Sequence, residues 1–184
     1  MPRLTPIDPA TATATGEAKE LLDGIQASFG MTPNSFRAMA NNPAVLKGWI
    51  ELSGALKPTL TRKLGEQVAI AIAEQNGCAY CLSAHTAVAR LLGIDAHEID
   101  HNRSGQSDDE RAAAALRFAL TVNAKRGGVS DNDLAEVRAA GYSDADIAAI
   151  VAHVALNVLT NYFNRVAQPV IDFPELTPRL AQAA

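Results

Sequence analysis

The sequence predicts an all-α protein, and three observations carry that prediction. Alanine is abundant, with apolar residues recurring at three- and four-residue spacing. No stretch alternates apolar and polar residues with period two, and cap and stop residues punctuate the chain at helix-length intervals. With 48% hydrophobic and 20% charged residues, 184 residues are enough to bury a core. The expected organisation is a single domain over 1–184, its core over about 33–169 and an irregular tail over 170–184.

The first helix is expected over 16–28, with Leu21, Leu22, Ile25 and Phe29 on one side and Gly30 closing it. Asn42-Pro43 reads as an N-cap followed by a first-turn proline, opening a helix through Trp49, Leu52 and Leu56 that stops before Pro58. Thr61 caps the next, which carries Glu66 and ends near Asn76-Gly77. Cys78 then begins a helix that runs to Leu92 and stops at Gly93. Ser107-Asp108-Asp109-Glu110 reads as a capping box opening a helix from 108 to about 125, broken by Gly127-Gly128. Ser130 and Ser143 cap two more, with Gly141 as the stop between them. The last helix, 144 to about 167, is the longest, and Pro169, Pro174 and Pro178 mark the tail.

Charge and targeting signals bound the partners. Sixteen Lys+Arg against 20 Asp+Glu, with no long basic run, supply no counterion-release drive toward nucleic acid. The N-terminus has no apolar signal-peptide core, and the apolar stretches at Val68 to Ala73 and Ile147 to Leu156 are too short to span a bilayer. A soluble, cytoplasmic protein is the expectation, with no membrane and no nucleic acid among its partners.

The chemistry concentrates in Cys78-Ala79-Tyr80-Cys81, which holds the chain's two cysteines. They lie too close to staple distant parts of a fold, so redox chemistry or metal binding is their use in a reducing compartment. On a helix turning about 100° per residue, Cys78, Cys81 and His85 fall within an arc of about 60°. Leu82, Val88, Ala89 and Leu92 flank that arc, while Ser83, Thr86 and Arg90 lie opposite, which turns the thiols and imidazole inward. His85 follows Cys81 by four residues and can take its proton; Cys78 is close enough to close a disulfide. One helix earlier, Glu66 sits among Ala69, Ile70 and Ala73, with Gln67 and Glu74 on the polar side. A carboxylate on a buried face needs a partner and makes a proton shuttle; pairing with Arg62 is the plainer use. Structural zinc is set aside, because it takes a fourth protein ligand and no second CxxC follows. From the residues alone the attacking thiol stays open: Cys78 is nearer the helix N-terminus, whose dipole favours a thiolate, and Cys81 approaches His85 better.

Glu66 and the run Cys78-Ala79-Tyr80-Cys81-Leu82-Ser83-Ala84-His85, at this spacing, resemble the signature of the alkylhydroperoxidase AhpD-like, carboxymuconolactone decarboxylase superfamily. The resemblance runs from about Pro33 to Pro169, and Asn161-Tyr162-Phe163-Asn164-Arg165 resembles the ending of its peroxidase-related branch. It implies an all-helical fold with the CxxC at the start of a buried helix, a trimer or hexamer, and reduction of a hydroperoxide substrate at the expense of a thiol or protein reductant. It further implies Cys81 as peroxidatic thiol, Cys78 as resolving thiol, and His85 with Glu66 as proton relay, with no cofactor or metal. One position departs: where the characterised peroxidase has a histidine between the cysteines, this chain has Tyr80. The alternatives are a decarboxylase acting on a small lactone acid, which has no need of a thiol pair, and a non-catalytic redox-sensing oligomer.

Outside this constellation, His153, Asn157, Asn161 and Asn164 form a polar stripe on the last helix. Such a stripe lines a pocket or a subunit contact, or its members satisfy one another and nearby backbone. Trp49 reads as core packing, and His97 and His101 as ordinary surface groups.

Overall fold

A computed structural model describes residues 1–11 and 15–179; the part of the expected tail over 180–184 lies outside the described residues. The described chain is all-helical: α1 (Gly16–Phe29), α2 (Asn34–Met39), α3 (Pro43–Leu56), α4 (Arg62–Gln75), α5 (Ala79–Leu91), α6 (Ala96–Arg103), α7 (Glu110–Ala124), α8 (Asp131–Ala139) and α9 (Asp144–Ala167). Most boundaries follow the caps. The Asn42 side chain accepts from Ala44 N with Pro43 in the first turn, and Thr61 accepts from Leu64 N. Ser130 and Ser143 each form a reciprocal capping box, with Asp133 and Asp146.

Two short helices, α2 and α6, have no counterpart in the sequence reading, being too short to show a helical apolar period. The start of α7 also differs. Its N-cap is Asp109, whose carboxylate accepts from Arg111 N and Ala112 N. Ser107 and Asp108 stay outside the helix because buried Glu98 on α6 draws them away: Ser107 Oγ donates to its Oε1 and Asp108 N to its Oε2.

α4 is the central element, packed against α5, α6, α7 and α9. Two apolar groups meet on it. Leu64, Val68, Ala71 and Ile72 join Leu116, Val122, Ile150 and Val154 on one side; Ile70 and Ala73 join Cys78, Cys81 and Leu82 on another. Because α4 is surrounded, Gln67 and Glu74, expected on a polar side, are instead 2% and 5% exposed, whereas Glu66, near the helix start, is only half-buried. α5 differs in the same way. Ser83 and Thr86, expected on the outer side, are buried, and Ser83 Oγ accepts from Leu176 N because the chain after α9 runs over that face. That tail is irregular yet tightly held, with Ile171, Phe173 and Leu176 packed on the thiol helix.

A third apolar group, Leu22, Ile25, Phe36, Met39 and Leu46, ties α1, α2 and α3 together. Trp49 packs against Phe36 at 4.7 Å between ring centroids and donates Nε1–H to Thr160 Oγ1, which makes it a core residue. α9 spans 24 residues and is apolar enough, by length and composition, to cross a membrane. Here it packs against α3, α4 and α7 and also touches α2 and α5, and Asn157, Asn161 and Asn164 are buried.

Candidate active site

The turn between α4 and α5 builds the site. Asn76 ends α4, Gly77 takes φ +66°, and the N–H groups of Gly77 and Cys78 bond back to Glu74 O and Ala73 O. This is the Schellman arrangement, and only a residue without Cβ enters that φ region at little cost. Its last residue, Cys78, is at once the N-cap of α5, its sulfur accepting from Cys81 N at 3.3 Å. The chain therefore reverses at Gly77 and lays α5 against α4.

Both cysteines are free and buried, their sulfurs 2.6 Å apart. Cys78 Sγ donates to Cys81 Sγ, and Asn164 Nδ2 on α9 donates to the same sulfur at 3.2 Å. Asn164 is held for this by Ser35 Oγ, which donates to its Oδ1 at 2.6 Å. Next to it, Asn161 Oδ1 accepts from Asn76 Nδ2, while its own Nδ2 is buried without a hydrogen-bond partner among the described residues. Burial pushes the Cys81 thiol up, but the bonds from Cys78 and Asn164, the charge of His85 and the Asn161 amide outweigh it and bring it down to about 7. Cys78 moves the other way: donating its proton to Cys81, and burial after that, push its thiol well above the ordinary range.

His85 Nδ1 lies 2.8 Å from Glu66 Oε2 across the α4–α5 seam, with 31% and 19% of their side chains exposed. Burial alone would lower the imidazole, yet the Glu66 carboxylate, by charge and hydrogen bond, holds it above its ordinary value. Among the described residues no hydrogen bond joins His85 to Cys81; their coupling is one of charge. The structure thus joins Cys78 with Cys81 and His85 with Glu66, and Glu66 takes His85 rather than Arg62 as its partner.

The polar stripe of α9 divides. Asn164 and Asn161 belong to the thiol site, whereas Asn157 Nδ2 donates to His153 O and His153 Nε2 lies near Leu56 O and Thr59 Oγ1. Tyr80, the departure between the cysteines, is a strut. Its hydroxyl donates to Asp172 at 2.5 Å and accepts from Ser35 N at 3.1 Å, while its ring meets Phe173 edge-on. Burial, then the Asp172 carboxylate, push its hydroxyl well above the usual phenol range. Asp172 also receives Asn34 N and Nδ2, so the tail is clamped over the thiol helix. Ser35 and Asp172 escape a reading of motifs because they lie far from the cysteines in sequence and are ordinary loop or cap residue types. A cavity of about 700 Å³ opens beside this strut, with Cys78, Tyr80, Asn164, Arg165 and Arg3 in its wall.

Comparison with known proteins follows the same outline. Residues 43–122 match the model of the Carboxymuconolactone decarboxylase family, a span from the start of α3 almost to the end of α7 that contains Glu66, Cys78, Cys81 and His85. No curated protein matches the chain significantly. Among solved structures, a peroxidase-related protein with an alkylhydroperoxidase AhpD core from Ralstonia eutropha JMP134 superposes with a TM-score of 0.83 at 24% identity, over 93% of this chain and 92% of that one. A peroxidase-related protein from Silicibacter sp. TM1040 gives 0.77 at 23% identity, over 89% and 88%. The debrominase Bmp8 gives 0.75 at 20% identity, over 92% of each chain. These likenesses establish the AhpD-like fold, and the segment that carries both cysteines, residues 43–122, is the part of the chain that matches the Carboxymuconolactone decarboxylase family.

Proposed function

We propose that this protein is a thiol-dependent peroxidase of the superfamily's peroxidase-related branch, reducing hydroperoxides through a Cys78/Cys81 dithiol–disulfide cycle. The observation that carries the reading is the asymmetry of the pair: Cys81 sulfur receives the Asn164 side-chain amide from α9 in a buried site, while Cys78 sulfur receives only the Cys81 backbone N–H of its own turn. A sulfur so placed is a nucleophile at neutral pH, and its neighbour is the thiol that closes the disulfide.

In the first step the Cys81 thiolate attacks the terminal oxygen of ROOH. The O–O bond breaks, Cys81 becomes a sulfenic acid, and the departing alkoxide takes a proton from His85 to leave as alcohol. Glu66, on Nδ1, steadies the imidazolium that supplies it. Cys78 sulfur then attacks Cys81 sulfur, and the hydroxyl leaves with the Cys78 proton as water. A dithiol reductant reopens the disulfide by exchange and is itself oxidised. The partly exposed His85–Glu66 pair connects the buried thiols to solvent for these transfers.

Assembly belongs to the same reading. Val151, Leu159, Tyr162 and Val166 form an exposed apolar stripe along α9, and Tyr162 and Val166 also line the cavity beside Cys78. A trimer or hexamer of this chain covers the stripe and narrows the cavity. A monomer mass by light scattering at micromolar concentration excludes that arrangement.

The fold shared with the debrominase Bmp8 and the size of the cavity favour a second use of the same dithiol. A brominated aromatic would exchange C–Br for C–H, releasing bromide and a proton as the two thiols become a disulfide. Hydroperoxide consumption against bromide release, each with a dithiol reductant, separates the two. In the deciding experiment, Cys81→Ser abolishes hydroperoxide turnover, while Cys78→Ser undergoes a single stoichiometric oxidation to a trappable sulfenic acid. Normal turnover by Cys81→Ser overturns the assignment.

A further inference from the structure

α6 displays His97 and His101 one turn apart, and the loop before α7 brings Asp108 against both. We propose that His97, His101 and Asp108 form a binding site for a divalent transition-metal ion of the zinc class. Asp108 Oδ1 lies 3.3 Å from His101 Nδ1, and Oδ2 lies 3.7 Å from His97 Nδ1. The two rings stand 4.0 Å apart, and one ligand atom from each of the three residues falls within 4.8 Å of the others. Ligands about 2.0–2.1 Å from a tetrahedral ion are separated by about 3.3 Å, so small side-chain rotations close the set.

The third ligand is held in place by a device the proposed peroxidase chemistry does not use. Glu98, between the two histidines on α6, is 5% exposed and accepts from Gln67 Nε2, Asn102 Nδ2, Ser107 Oγ and Asp108 N. It pins the backbone of Asp108 and leaves the Asp108 carboxylate to the imidazoles, its only side-chain partners among the described residues. One dication placed between them satisfies all three groups together. Two imidazoles and one carboxylate suit zinc, copper, nickel or cobalt; magnesium and calcium take all-oxygen sets. Three protein ligands leave a position for water or a solute. His101 and Asp108 also border a surface hollow of about 770 Å³. Both histidines reach the surface, as expected, and their four-residue spacing brings the two rings to one helix face.

The test uses the full chain as Cys78→Ser/Cys81→Ser, so that thiols do not compete for metal. Zinc chloride titrated by calorimetry should show one saturable equivalent per chain. Cobalt(II) in its place should give the visible bands of a low-symmetry, four-coordinate ion. His97→Ala and His101→Ala, surface changes that leave the core intact, should each weaken binding by about tenfold or more, and Asp108→Asn likewise. Zinc should raise the melting temperature of the parent and not of His101→Ala. Absence of saturable uptake by the thiol-free parent, or uptake unchanged in both histidine variants, overturns the proposal.

Discussion

Glu66 and Glu74 lie on the same helix about two turns apart, and the fold has given them opposite surroundings. Glu74 is the more deeply enclosed: its side chain is 6% exposed, Arg103 Nε donates to it at 2.7 Å, and Arg179 N donates from the tail at 2.6 Å. Arg103 in turn donates to Thr177 O, so this carboxylate gathers α4, α6 and the tail into one clamp. Glu66 has one hydrogen-bond partner among the described residues, His85, and both groups reach solvent. What separates the two is the partner's chemistry. A guanidinium keeps its proton at any working pH, so Glu74 anchors; an imidazole gains and loses one near neutrality, so in the proposed chemistry Glu66 governs a proton that moves.

The contrast breaks most visibly at the clamp. Arg103→Ala leaves a buried carboxylate without its counter-charge and should cost about 3–5 kcal/mol, a fall of roughly 10 °C in melting temperature for a chain of this size. Thiol reactivity per folded molecule should persist. A variant that melts with the wild type shows that the clamp does not hold the tail.

Glu66→Gln comes next. It should slow hydroperoxide reduction by roughly 10²-fold, about 2.7 kcal/mol of barrier, while the melting temperature stays near that of the wild type. An unchanged pH profile of Cys81 alkylation together with a slightly lowered melting temperature would return Glu66 to a structural role and leave His85 as the only base. Arg62→Ala serves as the control and should alter stability by a few tenths of a kcal/mol at most.

The smallest effect concerns the thiol itself. Cys81 alkylation should rise through pH about 7, below the ordinary thiol value of 9.0, and Asn164→Ala should move that midpoint upward. The sign carries over to stability. Between 7 and 9 the folded protein holds fewer protons on Cys81 than the unfolded chain does. Its contribution is therefore full above 9 and is lost as pH falls through about 7. A wild-type alkylation midpoint at the free-thiol value would remove the basis for treating Cys81 as the nucleophile.

Much of this was legible in the residues, because helices report themselves locally. Asn42-Pro43, Thr61, Ser130 and Ser143 are caps whose partners lie within four residues, and their helices begin where those residues stand. The thiol pair and His85 share one helix, so their spacing alone aligned them. Burial was less legible: a wheel assumes one inner and one outer face, and α4 has neighbours on nearly every side. Gln67, Glu74, Ser83 and Thr86 were therefore placed outward and are inside.

By itself, then, the sequence determined the all-helical class, the caps that start and stop most helices, and the grouping of Cys78, Cys81 and His85, each a matter of interactions within a turn or two. Tertiary structure alone decided which sulfur receives a side-chain amide, since Asn164 arrives from α9 and is oriented by Ser35 from α2. It also decided that Glu66 meets His85 rather than Arg62, that Tyr80 is tied to Asp172, and that the irregular tail covers the thiol helix. The physical reason is common to these: a buried polar group takes whichever partner the packing of distant segments brings within about 3 Å, and the number of residues between them leaves no trace of that meeting in the sequence.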